Sequence, residues 1–296
     1  MIRHFSLQDI TFRYRYRCSS EMAICVTLYR LSAPTRYKEL MQLFRRSRSW
    51  LSIVFNDVIV HLVTRYSDRM QWDEARLSRG TLLRYSEAIH QAGGGQNIWG
   101  FIDGTMRATC RPKANQRLYY SGYKKCHAIK FQAVTTPDGL MSHLAGPWEG
   151  RVGDYGMYLD SGLQDRLRAV NQNEGGEDDQ EQRLYLYGDP AYGLSYGCIS
   201  AYKAQPGHPL NPILKEINAQ MSALRVSVEH GFGRTMMQWS FNGFKQDLKI
   251  GLSPAAAYFM VAVLFCNIHS CFHGNQTSVQ FNCPPPSVDV YLNLDV

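Results

Sequence analysis

Three carboxylates are set apart by where they fall in the chain. Asp103 closes the apolar run Ile98-Trp99-Gly100-Phe101-Ile102 and precedes Gly104. Asp189 closes Leu184-Tyr185-Leu186-Tyr187 and follows Gly188. Both runs read as short buried strands, and a side chain at a strand end projects into the crevice where open sheets hold their ligands. The glycine beside each acid leaves room for a ligand or an ion. Glu229 lies in Val226-Ser227-Val228-Glu229-His230-Gly231-Phe232-Gly233. On a helix it shares a face with Asn218, Ser222, Arg225 and Gly233, next to the apolar stripe Ile217, Met221, Leu224 and Val228. Taken singly, each acid has an ordinary explanation: a cap or turn for the aspartates, a solvated helix face for the glutamate. Together they repel one another unless a cation relieves them. Mg²⁺ suits such a set, since it takes a few carboxylates and keeps waters and substrate phosphate.

The elements that must position these acids form two regions. Residues 21–63 read as helices. Leu40, Leu43 and Phe44 mark one apolar face; Leu51, Val54, Phe55, Val58, Ile59, Leu62 and Val63 mark another. Between them, Arg45-Arg46-Ser47-Arg48-Ser49 offers a serine cap and arginines at the start of the second helix. Two short helices, a tight polar turn and a basic helix start fit a helix-turn-helix. Gly93-Gly94-Gly95 ends this region. Strands then follow at 98–102, 126–135 and about 140–144, with Pro137-Asp138-Gly139 as a turn. Tyr158 to Val170 reads as one helix, Asn171 to Gln182 as a polar surface loop, and a long helix follows Pro206, Pro209 and Pro212. Strands mixed with helices make this an α/β or α+β body. The expected organisation is a helical, basic module over 1–97, a mixed body over 98–283 and an extended tail over 284–296.

Composition agrees with a folded chain: 296 residues, 45% hydrophobic, 12% aromatic and 19% charged. That excludes intrinsic disorder. No secretory signal is visible, and the longest apolar stretch, Ala255 to Cys266, is shorter than the ~20 residues of a membrane span. No membrane association is expected. The net charge is +7, and it is unevenly placed. Residues 1–97 hold fifteen Lys+Arg against eight Asp+Glu, whereas 98–296 hold seventeen of each. A basic region joined to a neutral body points to a polyanion partner. The eight cysteines are scattered without a Cys-x-x-Cys pair, as expected of reduced intracellular thiols. Cys266-Asn-Ile-His269-Ser-Cys271-Phe-His273 gathers soft ligands, but on one helix they point around the circumference, so buried thiols are expected there instead of zinc.

A second basic cluster follows Asp103: Arg107, Arg111, Lys113, Arg117, Lys124, Lys125 and Lys130, interleaved with Tyr119, Tyr120 and Tyr123. Cations would bind phosphates and the rings would stack on unpaired bases. His230 points roughly 100° away from Glu229 on a helix, as expected of a residue that packs or supports the site from behind its ligands.

Taken in order, Ile102-Asp103-Gly104-Thr105, Gly150-Arg151-Val152-Gly153-Asp154 leading to Ser161-Gly162-Leu163, Gly188-Asp189-Pro190-Ala191-Tyr192 and Val228-Glu229-His230-x-Phe232-Gly233 resemble the DDE endonuclease of PIF/Harbinger-type transposons. The resemblance runs from about Leu28 to His269, with Tyr37 to Phe55 resembling the short helical module that precedes the nuclease. It implies an RNase H-like mixed sheet flanked by helices and preceded by a small all-helical helix-turn-helix module. It also implies Asp103, Asp189 and Glu229 as a triad for two divalent metals, Mg²⁺ or Mn²⁺, which cleave DNA phosphodiesters and transfer strands. Asp154 matches another acidic position of the pattern and competes with Asp189 for second place; Asp189, at a strand end, is favoured, with Asp154 in a supporting role. DNA contacts are expected from Arg45, Arg46, Arg48, Arg111, Lys113, Arg117, Lys124 and Lys125. The resemblance further implies double-stranded DNA as substrate, a separate Myb-like DNA-binding partner, room for a homo-oligomer, and the nucleus as the place of work. The competing expectation is a domesticated, non-catalytic DNA-binding or scaffold protein on the same fold.

Overall fold

The structure is a computed structural model that describes residues 4–172, 182–204, 207–245 and 248–292. Its N-terminal part is helical: α1 (Ser20–Ser32), α2 (Tyr37–Phe44), α3 (Arg48–Gln71) and α4 (Arg79–Gln91). Arg45 in the left-handed region breaks the chain after α2. The Ser47 hydroxyl then accepts the Trp50 N–H at 3.2 Å and starts α3. This second helix is not short, as a plain helix-turn-helix would have it, but 24 residues long.

A mixed sheet follows: β1 (Ile98–Ala108), β2 (Tyr120–Ser121), β3 (Cys126–Thr135), β4 (Met141–Glu149), β5 (Tyr185–Gly188) and β6 (Cys198–Ser200). The order is β4-β3-β1-β5-β6, with β2 paired to the first residues of β3. The β1–β3 and β3–β4 pairs are antiparallel; β1–β5 and β5–β6 are parallel. Helix α5 (Gln116–Tyr119) lies in the β1–β3 connection, and α6 (Asp154–Asp160) and α7 (Leu163–Asn171) come between β4 and β5. The long α8 (Pro212–Gln238), α9 (Ala255–His273), α10 (Gln276–Gln280) and α11 (Val288–Leu292) complete the chain. The architecture is mixed α/β and consistent with an RNase H-like fold.

Side chains alternate across β1, so Phe101 enters one apolar cluster and Ile102 another. The Phe101 side is covered by α8 and α9, whose Val228, Phe259 and Val263 are fully buried. The Ile102 side is covered by Tyr158, Leu163 and Leu167 of α6 and α7. The N-terminal helices join the first cluster directly. Phe55 of α3 stacks on Tyr258 of α9 at 5.2 Å between ring centres, and Phe5 meets Phe265 at 5.7 Å. Helix α9 is, among the described residues, the one helix long and apolar enough by length and composition to cross a membrane, and most of it is buried in this core.

Four local expectations are corrected. β1 continues to Ala108, which puts Asp103 in the middle of a strand and not at its end. Tyr158 to Val170 is two helices, because Gly162 at φ 70° is a left-handed break that other residues adopt at a cost. The tail after Pro286 turns into α11, whose Val288, Tyr291 and Leu292 are buried. Ile217, expected in the α8 stripe, is exposed. The expected loop over 171–182 lies largely outside the described residues.

Candidate active site

Asp103 sits on the α8 side of β1, opposite Ala133 of β3 in register. Its Oδ1 accepts the N–H of Gly104 at 2.8 Å, and its Oδ2 accepts from Arg225 Nη1 at 3.0 Å. Burial pushes the Asp103 carboxyl up to about 6 even though Arg225 and the Gly104 N–H favour its charged form, and nearby Asp189 pushes in the same direction as burial.

Asp189 follows the last residue of β5, the parallel neighbour of β1. Its Oδ1 accepts the Ala191 N–H at 2.8 Å, so it caps the single turn Pro190–Tyr192. Gly188 is required here by space: a Cβ would stand 2.8 Å from Tyr192 Cδ2 and 3.0 Å from Ile102 Cγ2. The Tyr192 ring is fully buried, and its hydroxyl has no hydrogen-bond partner among the described residues. Burial, followed by the charges of Asp154, Asp103 and Asp189, holds this phenol neutral, well above its ordinary pKa.

Helix α8 buries Met221, Leu224, Val228 and Phe232 on its stripe. One turn apart beside that stripe, Arg225 and Glu229 are paired, Nη2 to Oε1 at 2.7 Å. Glu229 itself is half exposed, at 51% of its side chain. Arg225 thus grips Asp103 with one nitrogen and Glu229 with the other, joining β1 to α8. Sequence reasoning placed Arg225 on the face of Glu229 but gave it no role; its position four residues before an acid was the available signal.

Asp154 opens α6 and pairs with Lys130 Nζ at 3.0 Å. It lies under Gly104, where its Oδ1 stands 2.9 Å from the place of a Cβ, on the face of β1 opposite to the Asp103 side chain. Lys130 also donates to the Val152 carbonyl, and Arg107 bonds Thr105 while lying over the Phe259 ring. These two cations therefore face inward and leave the expected phosphate-binding cluster. Arg111, Lys113, Arg117, Lys124 and Lys125 are exposed on the segment between β1 and β3, with Tyr120 and Tyr123 also exposed. Arg45, Arg46 and Arg48 are exposed around the α2–α3 turn, Arg46 over Trp50 and Arg48 over Tyr37. His230 is exposed, which removes the packing half of its expected role. Cys266 is buried on α9, where its sulfur accepts from Arg234 Nε.

Residues 102–267 match the family described as DDE superfamily endonuclease. The chain belongs to this family. No curated protein and no solved structure matches it. The matched span begins one residue before Asp103, takes in Asp154, Asp189 and Glu229, and ends within α9. The helices α1 to α4 precede it.

The family implies divalent metals, and the donor set has the matching chemistry: hard carboxylate oxygens on Asp103, Asp189 and Glu229. Among the described residues, however, no group of three or more His, Cys, Asp and Glu is drawn together closely enough to hold a metal ion. What stands between Asp103 and Glu229 is the Arg225 guanidinium.

Proposed function

We propose that this DDE endonuclease is of the PIF/Harbinger type, derived from a transposase, and cleaves DNA with Asp103, Asp189 and Glu229 as its acidic triad. One observation carries the reading. An acid from mid-β1 and an acid from α8 share a single guanidinium, while a third acid ends the strand beside β1 near enough to raise the first. Asp103, Asp189 and Glu229 would hold Mg²⁺ or Mn²⁺ through carboxylate oxygens carried on β1, on the residue that follows β5 and on α8. Bound there, the cations supply activation of a water or 3′-hydroxyl and stabilisation of the leaving oxygen in an in-line phosphodiester displacement. The chain's own residues do the rest. Exposed Arg111, Lys113, Arg117, Lys124 and Lys125 bind backbone phosphates without reading sequence, and Tyr120 and Tyr123 offer rings to unpaired bases. Arg45, Arg46 and Arg48 add a second basic contact at the start of α3.

The test is nicking of supercoiled plasmid and of duplexes bearing candidate terminal inverted repeats, with Mn²⁺ added and then chelated. Cleavage that needs the cation and is lost in Asp103→Asn, Asp189→Asn and Glu229→Gln supports the reading. Metal-independent cleavage, or full activity in all three variants, sinks it.

A further inference from the structure

Arg225 occupies an unusual place for a surface-helix arginine. Its side chain is only 18% exposed, and its two terminal nitrogens are spent on acids from different elements, Asp103 at 3.0 Å and Glu229 at 2.7 Å. Both oxygens of Asp103 are engaged: Oδ1 accepts the Gly104 N–H and Oδ2 accepts from Arg225. A guanidinium fork matches carboxylates in this bridging manner, and it matches phosphate equally well. A cation that is to sit between Asp103 and Glu229 meets a positive charge already in that place. Removing one partner of a shielded ion pair is costly unless another charge replaces it. A divalent cation supplies such a replacement, and the freed guanidinium then needs an anion.

We propose that Arg225 is the resident counter-ion of the acidic site, displaced when a divalent cation binds between Asp103 and Glu229 and transferred to a phosphate of the bound DNA. The proposal rests on the nuclease reading above and adds to it a coupling between metal and DNA. The protein alone binds metal weakly, because the cation must evict Arg225. With DNA present the evicted side chain gains a partner, so the two ligands favour one another, and by linkage to the same extent in both directions. A nuclease built this way keeps a positive charge between two of its acids, and its metals poorly loaded, until DNA arrives.

The experiment measures Mn²⁺ affinity from the loss of the free-ion electron paramagnetic resonance signal, on the metal-free full chain, with and without a short duplex. Wild type, Arg225→Ala, Arg225→Lys and Asp103→Asn are compared, with folding checked by circular dichroism melting in chelator. Without DNA, Arg225→Ala should bind Mn²⁺ about tenfold tighter than wild type, a factor that corresponds to ~1.4 kcal/mol. The duplex should tighten Mn²⁺ binding in wild type and leave Arg225→Ala unchanged. Arg225→Lys keeps the charge but reaches one acid at a time, so its affinity should fall between the two. It also provides the comparison should the alanine variant fail to fold. Equal or weaker Mn²⁺ binding in both Arg225 variants, with Asp103→Asn still abolishing it, overturns the proposal and leaves the nuclease reading standing. Mn²⁺ binding that Asp103→Asn does not alter overturns both.

Discussion

Asp154 is the residue on which a structural and a metal-binding role diverge most clearly. Its carboxylate pairs with Lys130 at 3.0 Å, with 23% and 14% of the two side chains exposed. Asp154→Asn keeps the shape but leaves the Lys130 ammonium with neutral acceptors alone, the amide oxygen and the Val152 carbonyl at 2.8 Å. Breaking a fully buried pair from one side costs ~3–5 kcal/mol. Partial exposure lowers that here to about 2 kcal/mol. Lys130→Met should cost less, about 1 kcal/mol, because the more exposed carboxylate retains some water. The double variant Lys130→Met/Asp154→Asn should lie closer to wild type than the two costs added, with a coupling of about 1–2 kcal/mol. Urea unfolding followed by circular dichroism, in chelator so that metal contributes nothing, supplies all four values. Mn²⁺ affinity of Asp154→Asn should stay within a few-fold of wild type. Wild-type stability of Asp154→Asn combined with abolished Mn²⁺ binding would refute this reasoning and make Asp154 a ligand in competition with Asp189.

Gly188→Ala forces a methyl to within 2.8 Å of Tyr192 and 3.0 Å of Ile102, so urea unfolding should show a loss of ~1–3 kcal/mol; unchanged stability would disprove the close approach. His143 is fully buried beside the Gln71 carbonyl, and burial lowers its pKa to about 4. Its neutral form is favoured by folding, so the stability it contributes is present above the unfolded value near 6.5 and is lost as pH falls toward 4, by about 3 kcal/mol in all. His143→Gln, which still offers an N–H to the carbonyl, should flatten that part of the pH–stability curve; an unaltered slope assigns the acid sensitivity elsewhere. Changing Arg111, Lys113, Arg117, Lys124 and Lys125 together to alanine should reduce the slope of log K against log salt for duplex binding by ~0.9 for each phosphate that is no longer neutralised. Filter binding across a range of salt concentrations gives the slope, and one equal to wild type would clear this segment of a role in holding DNA.

Regular segments are the most legible in the chain. β3 runs Cys126–Thr135 as its alternation and flanks suggest, and Ser47 caps α3 where a serine follows two arginines. The far half of β1 is hidden because Gly104-Thr105-Met106-Arg107 looks like a polar departure from a strand. Pairing with β3 from Phe101 to Ala108 keeps it extended, and that partner lies too far along the sequence to be inferred from local pattern. Gly162 stands out in sequence for its place in a motif, not for the left-handed turn that splits α6 from α7. The candidate site divides in the same way. The four acids can be named from their neighbours in sequence. What links them, Arg225 to Asp103 across 122 residues and Lys130 to Asp154 across 24, exists only once the sheet and helices have packed. Tyr192, buried amid three acids with no hydrogen-bond partner for its hydroxyl among the described residues, leaves no mark that an ordinary tyrosine would lack.

The shared core of α3 and α9 bears on how the protein can be handled. The ends of the family match do not mark a piece that can be cut out intact, because Phe55 and Phe5 cover Tyr258 and Phe265 from outside it. A fragment begun at residue 98 bares one side of a 19-residue helix that is apolar enough to enter a bilayer. Expressed in a cell, such a fragment has aggregates and membranes as ready destinations. Its sedimentation with the membrane fraction would then report missing helices, not a native address. Localisation experiments and recombinant production should both keep the first ninety-seven residues attached.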